Sequence, residues 1–223
     1  MPWAPTPVNE KDDTNMTRHL GAHWAPLLLI NIPGAHAAST VDLSVKGRIT
    51  PIACTPGLSN NGLVDYGKIS YKDLSVDKRT QLRDKTLDFT LQCNGPARFA
   101  LVMRDNRDGS AIVNSEIYYG LSHDISGNKI GLYSLNFDPT QTVADELSQV
   151  FRTDSTTGGM AWSTSSSRPI PVGARSYLGF TDVAGSSAGP IAIQNLSSRV
   201  TVETVISPTS ELEVSADIQL DGS

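Results

Sequence analysis

The chain has 223 residues and a formal net charge of −5, and 39% of its residues are hydrophobic, 18% charged and 6% aromatic. This apolar content is sufficient for a folded core, and the low charge excludes an intrinsically disordered chain. A mildly acidic chain without a basic run interleaved with aromatic residues does not favour nucleic acid as a partner.

Residues 1–37 are predicted to be a leader and signal peptide. Met16–His19 gives a positively charged start, residues 24–32 form an apolar stretch, and Ala35-His36-Ala37 matches an Ala-x-Ala cleavage site. This pattern is typical of a secretory signal and is too short for a permanent membrane span. We expect cleavage between Ala37 and Ala38, which leaves one domain over residues 38–223.

The acidic residues before Met16 do not suit a signal peptide, so Met16 is the expected true start of the protein. The alternative is that residues 1–37 are a disordered leader in which the apolar stretch occurs by chance.

The mature chain begins with a run in which Val41, Leu43 and Val45 alternate with polar residues. A period of two is typical of a half-buried strand. Similar short runs follow, with turns at intervals of about 8–12 residues, and this spacing predicts an all-β sandwich of about eight to ten strands. The predicted strands include residues 63–69, 86–93, 99–103, 117–121, 130–137, 177–180 and a last alternating run over 212–220.

Two segments interrupt this pattern. Residues 72–85 are a mixed-charge stretch that predicts a solvated loop, and residues 138–175 are rich in Ser, Thr, Gly and Pro. Within the second segment, only Thr142–Val150 has the pattern of a short helix.

The chain has two cysteines, Cys54 and Cys93, and both lie in the part that is expected to be exported. In an oxidising compartment such a pair usually forms a disulfide. A metal site needs more ligands at short spacing, and a redox pair usually has the spacing Cys-x-x-Cys. A structural disulfide is therefore predicted, and closing its loop stabilises the fold by about 4 kcal/mol in the chain-entropy model.

Three blocks of the sequence resemble the pilins of chaperone–usher fimbriae. They are Lys46-Gly47-Arg48-Ile49 followed by Cys54, Val64-Asp65-Tyr66-Gly67-Lys68-Ile69, and the pattern Leu87-x-Phe89-x-Leu91-x-Cys93. Over most of residues 39–221 the chain resembles more closely a family that is encoded in the beta-fimbriae operons of Gram-negative bacteria.

The resemblance implies an incomplete immunoglobulin-like β-sandwich (pilin-like) that lacks its final strand and exposes a hydrophobic groove. A periplasmic chaperone would fill this groove first, and the N-terminal strand of a neighbouring subunit would replace the chaperone at the outer-membrane usher. Val41, Leu43 and Val45 are the candidate donor residues. The alternative is that they form the first strand of the chain's own domain.

The end of the chain departs from the pilin pattern. Pilins usually end in an apolar strand with an aromatic residue, whereas this sequence stops at Leu220-Asp221-Gly222-Ser223. Because Asp-Gly favours a hairpin turn, the resemblance implies that about one strand is missing. A frayed natural terminus is the alternative.

Motifs for catalysis and metal binding are weak. Gly185-Ser186-Ser187-Ala188-Gly189 fits Gly-x-Ser-x-Gly but is not placed between a strand and a helix, as a nucleophile elbow requires. His123 is the only histidine after Ala37, and Asp105 and Asp108 lack the further ligands of a calcium loop. We expect no catalytic residue, no metal and no cofactor.

The expected function is that of a structural subunit of a cell-surface fimbria, exported through the periplasm. A tip adhesin that binds a host glycan is the alternative, with residues 138–175 as the receptor loop and Trp162 stacking on a sugar. The other interpretation of Trp162 is a side chain that caps the core. A secreted enzyme is the remote alternative.

Overall fold

The computed structural model describes residues 51–223, and their regular structure consists of strands and short 3-10 turns. No helix in this part of the chain is long and apolar enough to cross a membrane. The strands are β1 (Cys54–Leu58), β2 (Thr80–Gln81), β3 (Lys85–Arg98), β4 (Leu101–Val102), β5 (Tyr119–Gly120), β6 (Gly131–Ala144), β7 (Phe151–Ser155), β8 (Tyr177–Thr181) and β9 (Ala192–Ile206). The predicted all-β fold is confirmed.

The strands form two antiparallel sheets. The larger sheet has the order β1-β3-β9-β6-β5, and β2 also pairs with β9. The smaller sheet has the order β4-β8-β7. The long strands β3, β6 and β9 lie side by side because each carries an alternating apolar face that must be covered by a second layer.

The main core fills the space between the two sheets. From the larger sheet, Phe89 and Phe137 meet edge-to-face with ring centroids 5.6 Å apart. From the smaller sheet, Leu178 and Phe180 have no exposed surface at all. These aromatic and aliphatic contacts fix how the sheets stack.

A bulge in β3 leads the chain from one sheet to the other. The register of β3 against β9 shifts between Gln92 and Ala97, where Asn94-Gly95-Pro96 interrupts the ladder. Bulges bend and twist a strand, and beyond this one the chain enters β4 of the smaller sheet. The direct path from β3 to β4 positions the candidate site described below.

A second apolar cluster lies on the larger sheet near the end of β9. Leu121, Ile130 and Ile206 are buried there, and Leu212, Ile218 and Leu220 from the end of the chain pack against them. The prediction of a strand over residues 212–220 was wrong, because no strand among residues 51–223 pairs with this segment. Of its alternating apolar residues, Leu212, Ile218 and Leu220 pack on this cluster, whereas Val214 and Ala216 are exposed.

Two further local predictions were also wrong. Residues 63–69 form no strand, although Tyr66 anchors them by donating a hydrogen bond to Thr204 Oγ1 at 3.0 Å. Thr142–Val150 forms no helix, since Thr142–Ala144 instead continues β6 and pairs with Leu196–Ser198 of β9. Residues 138–175, expected to be irregular, also contain β7. Pairing with a neighbouring strand overrides weak local preference.

Candidate functional site

One row of inward-facing side chains continues from β3 into β4. Its first members, Leu87, Phe89, Leu91 and Cys93, are buried. Its later members pack against the same core but are only half-buried; they are Ala97, Phe99, Leu101 and Met103. Since alternate residues of a strand share one face, this face is covered less completely from about residue 95 onward.

Within residues 51–223, the backbone beside these half-buried side chains has one edge without a partner strand. β4 pairs with β8, β1 pairs with β3, and neither β4 nor β1 has a second neighbour among residues 51–223. A free strand edge presents N–H and C=O groups to which another chain can add. We call residues 95–103, with their free backbone and half-buried inward face, the open edge.

A disulfide defines where the open edge begins. Cys54 and Cys93 lie opposite each other in the β1–β3 ladder and are bonded, with Cα atoms 3.9 Å apart, so the predicted disulfide is confirmed. At the next position, the Asn94 amide donates to the Ala53 carbonyl, and the Ala53 amide donates to Asn94 Oδ1, both at 3.0 Å. β1 therefore covers β3 as far as residue 94.

The chemistry of the open edge is that of backbone pairing and apolar packing. Arg98 is the only ionisable side chain of residues 95–103, and it is exposed. No group of three potential metal ligands occurs in the part of the chain that the structure describes. The site can accept an extended segment whose alternate side chains are apolar.

Trp162 lies in the loop between β7 and β8 and is half-buried. Its indole ring covers two glycines so closely that a Cβ added to Gly179 or Gly189 would meet the ring at 3.0 or 2.7 Å. Its Nε1 donates a hydrogen bond to the Gly159 carbonyl at 3.1 Å. These contacts favour the interpretation that Trp162 caps the end of the smaller sheet.

Ser165 joins the loop after β7 to the loop after β8, and the sequence did not indicate it. Its Oγ donates to the Val183 carbonyl at 2.5 Å and accepts a hydrogen bond from the Ser186 amide at 3.0 Å. Ser165 is buried, but in a run of serines and threonines nothing distinguishes it from its neighbours. The loop that contains Ser186 and Ser187 runs from β8 to β9 with no helix after it.

Asp124 holds the end of the chain against the second apolar cluster, and it was also missed. Burial of the carboxyl group by itself would raise the pKa of Asp124. Hydrogen bonds from the Glu213 amide, from Asn128 and from the Ser126 amide outweigh this effect and lower the pKa to about 2. The carboxylate thus connects the turn before β6 to the segment that carries Leu212. His123, next to it, is an exposed side chain of the same turn.

The candidate donor residues Val41, Leu43 and Val45 and the cleavage site between Ala37 and Ala38 lie outside the described residues. These assignments stay predictions.

Two facing antiparallel sheets and a disulfide between β1 and β3 define an immunoglobulin-like β-sandwich. Residues 43–131 match the family described as "Protein of unknown function (DUF1120)". The matched region runs from before β1 to the start of β6 and so includes both cysteines and the open edge.

The chain is similar to two proteins of Escherichia coli (strain K12). It is 26% identical to the "Uncharacterized protein YhcF" over 216 residues, which cover 84% of this chain and 89% of that protein. It is 28% identical to "Protein GltF" over 123 residues, which cover 45% of this chain and 48% of that protein. No solved structure matches the chain.

Proposed function

We propose that this chain is a structural subunit of a bacterial surface fimbria that is assembled by donor-strand complementation. The open edge is the acceptor, and the N-terminal segment with Val41, Leu43 and Val45 is the donor for a neighbouring subunit. The subunit is exported through the periplasm, where a chaperone protects the open edge until an outer-membrane usher adds the subunit to the fibre.

The half-buried inward face of the open edge carries this proposal. Phe99, Leu101 and Met103 already point towards the main core, so a donor strand would complete their burial and pair with the free backbone in one step. Each apolar side chain that a donor buries there contributes up to about 1.5–3 kcal/mol. An edge with this composition is prone to aggregation if it stays uncovered, which is the physical reason for a chaperone.

The sequence of the N-terminal segment supports a donor role. Val41, Leu43 and Val45 alternate with polar residues, and alternate apolar side chains are what an acceptor face takes up when a strand is added to an open sheet edge.

Two neighbouring residues of β4 provide the test. We expect Leu101→Asn, which places an amide in the acceptor face, to abolish ladders of subunits that resist mild denaturant when the full chain is expressed with its chaperone and usher. The control Val102→Asn changes a side chain that points outward and is 54% exposed, and its ladders should match the wild type. Circular dichroism and formation of the Cys54–Cys93 disulfide show whether each variant is folded. If a folded Leu101→Asn variant still forms ladders, the proposal is contradicted.

A further inference from the structure

A cleft of about 550 Å³ lies directly beyond the open edge. Its lining comes from the chain that leaves β4, from Val102 to Asp105, from Asn114–Glu116 with Tyr118, and from Ala174 and Arg175. Its volume falls within the range of roughly 300–1,000 Å³ that is typical of small-molecule sites.

Hydrogen bonds hold the walls of this cleft in place. The Ala174 amide donates to the Glu116 carbonyl at 2.7 Å, and the Tyr118 amide donates to the Ser115 carbonyl at 3.1 Å. On the other side, Asp105 Oδ2 accepts a hydrogen bond from the Gly120 amide at 3.0 Å. The cleft is therefore preformed, and a ligand would not have to order it.

The charges of the cleft do not favour a small anion. Arg175 is paired with Asp108 at 2.7 Å. The carboxylate of Asp105 accepts hydrogen bonds from the Arg107 and Gly120 amides. The remaining charges are the positive charge of Arg104 and the negative charge of Glu116, which cancel in the net charge of the cleft. No excess of positive charge is left to attract a phosphate or a carboxylate.

The remaining groups are uncommitted hydrogen-bonding side chains beside an apolar surface. The side chains of Asn114, Ser115 and Glu116 are exposed and have no hydrogen-bond partner among the described residues. Together they offer an amide, a hydroxyl and a carboxylate, which both donate and accept. Tyr118 and Met103 add half-buried apolar surface.

We propose that this cleft is a binding site for an uncharged saccharide. Sugar hydroxyls both donate and accept hydrogen bonds and so match the wall of Asn114–Glu116, while the C–H face of a pyranose ring matches Tyr118 and Met103. The site lies apart from Trp162 and shares only Met103 with the inward face of the open edge. It does not depend on the proposed assembly function.

Saturation-transfer NMR on the full chain tests this site. The probes are galactose, mannose, N-acetylglucosamine and their disaccharides, with sialyllactose and a heparin disaccharide as charged comparators. We expect transfer to at least one neutral sugar, and the double variant Asn114→Ala/Glu116→Ala should bind it at least about tenfold more weakly.

The matched control is Gln92→Ala/Asp88→Ala, which removes an amide and a carboxylate from the exposed face of β3. It should leave the affinity within about twofold of the wild type, since surface contacts away from a site contribute little. The inference is overturned if no neutral sugar shows transfer, if only the charged comparators bind, or if both double variants bind equally. A failure of this kind leaves the Leu101→Asn assembly test unaffected.

Discussion

Leu101 and Leu178 lie directly opposite each other in the ladder between β4 and β8, yet Leu178 is completely buried whereas Leu101 is only half-buried. The two side chains share one face of the sheet, so their chemistry and direction are the same. The difference arises because β8 has a strand on each side and β4 has one. Leu101 therefore reports the absence of one neighbouring strand from the described part of the sandwich.

We predict that removing the disulfide with Cys54→Ala/Cys93→Ala lowers the free energy of unfolding by about 2–4 kcal/mol, because the unfolded chain regains the freedom of the closed loop. Urea denaturation measures this difference. Reduction of the wild type should produce the same change and should have no effect on the variant, since the chain has no other cysteine. Equal stability of variant and wild type would contradict the structural role of the bond.

The Asp124 carboxylate should make stability depend on pH. The pKa of this group is lowered from an ordinary value of 3.8, which it has in the unfolded chain, to about 2 in the folded chain. The ionised carboxylate therefore stabilises the fold above about pH 4, and this stabilisation is lost as the pH falls to about 2. We expect Asp124→Asn to unfold more easily than the wild type at neutral pH, and the difference in unfolding free energy should shrink between about pH 4 and pH 2.

A matched control for Asp124 is Asp217→Asn, which changes an exposed carboxylate of the terminal segment that has no hydrogen-bond partner among the described residues. Its stability should follow that of the wild type at every pH. If Asp124→Asn has the same loss in free energy of unfolding at pH 2 as at neutral pH, the carboxylate does not stabilise the fold through its ionised form.

Ser165→Ala should lower the free energy of unfolding by about 1 kcal/mol, because it removes the two part-buried hydrogen bonds of the buried Ser165 hydroxyl. Ser187→Ala makes the same chemical change at an exposed serine of the adjoining loop and should alter stability by less than about 0.5 kcal/mol. Thermal unfolding of both variants measures the contrast. Equal losses would show that Ser165 does not join the two loops.

The sequence predicted the parts of the fold in which a strong alternating pattern coincides with a strand that is paired in the structure. Leu87, Phe89, Leu91 and Cys93 alternate without interruption, and β3 follows them. The cysteine pair was predicted from its redox compartment, and β1 places it in register.

The predictions were wrong where apolar side chains are buried without their backbone pairing with another strand. Residues 212–220 alternate as a strand does, but only Leu212, Ile218 and Leu220 contact the second apolar cluster, and no ladder forms. Val214 and Ala216 belong to the same alternating run but are exposed, so alternation alone predicts neither a neighbouring strand nor the burial of every apolar side chain. The open edge could not be predicted from local pattern either, because half-burial of Leu101 depends on how far β1 extends.

Hydrogen–deuterium exchange at those amides of residues 95–103 that do not donate to β8 or β9 tests the central claim most directly. The full chain is compared alone and with a synthetic peptide of residues 38–46, and a peptide with Leu43→Asp serves as control. We predict fast exchange in the chain alone and strong protection with the first peptide only. Amides that are already protected in the isolated chain, and that the peptide leaves unchanged, would show that this edge has its partner and accepts no strand from another molecule.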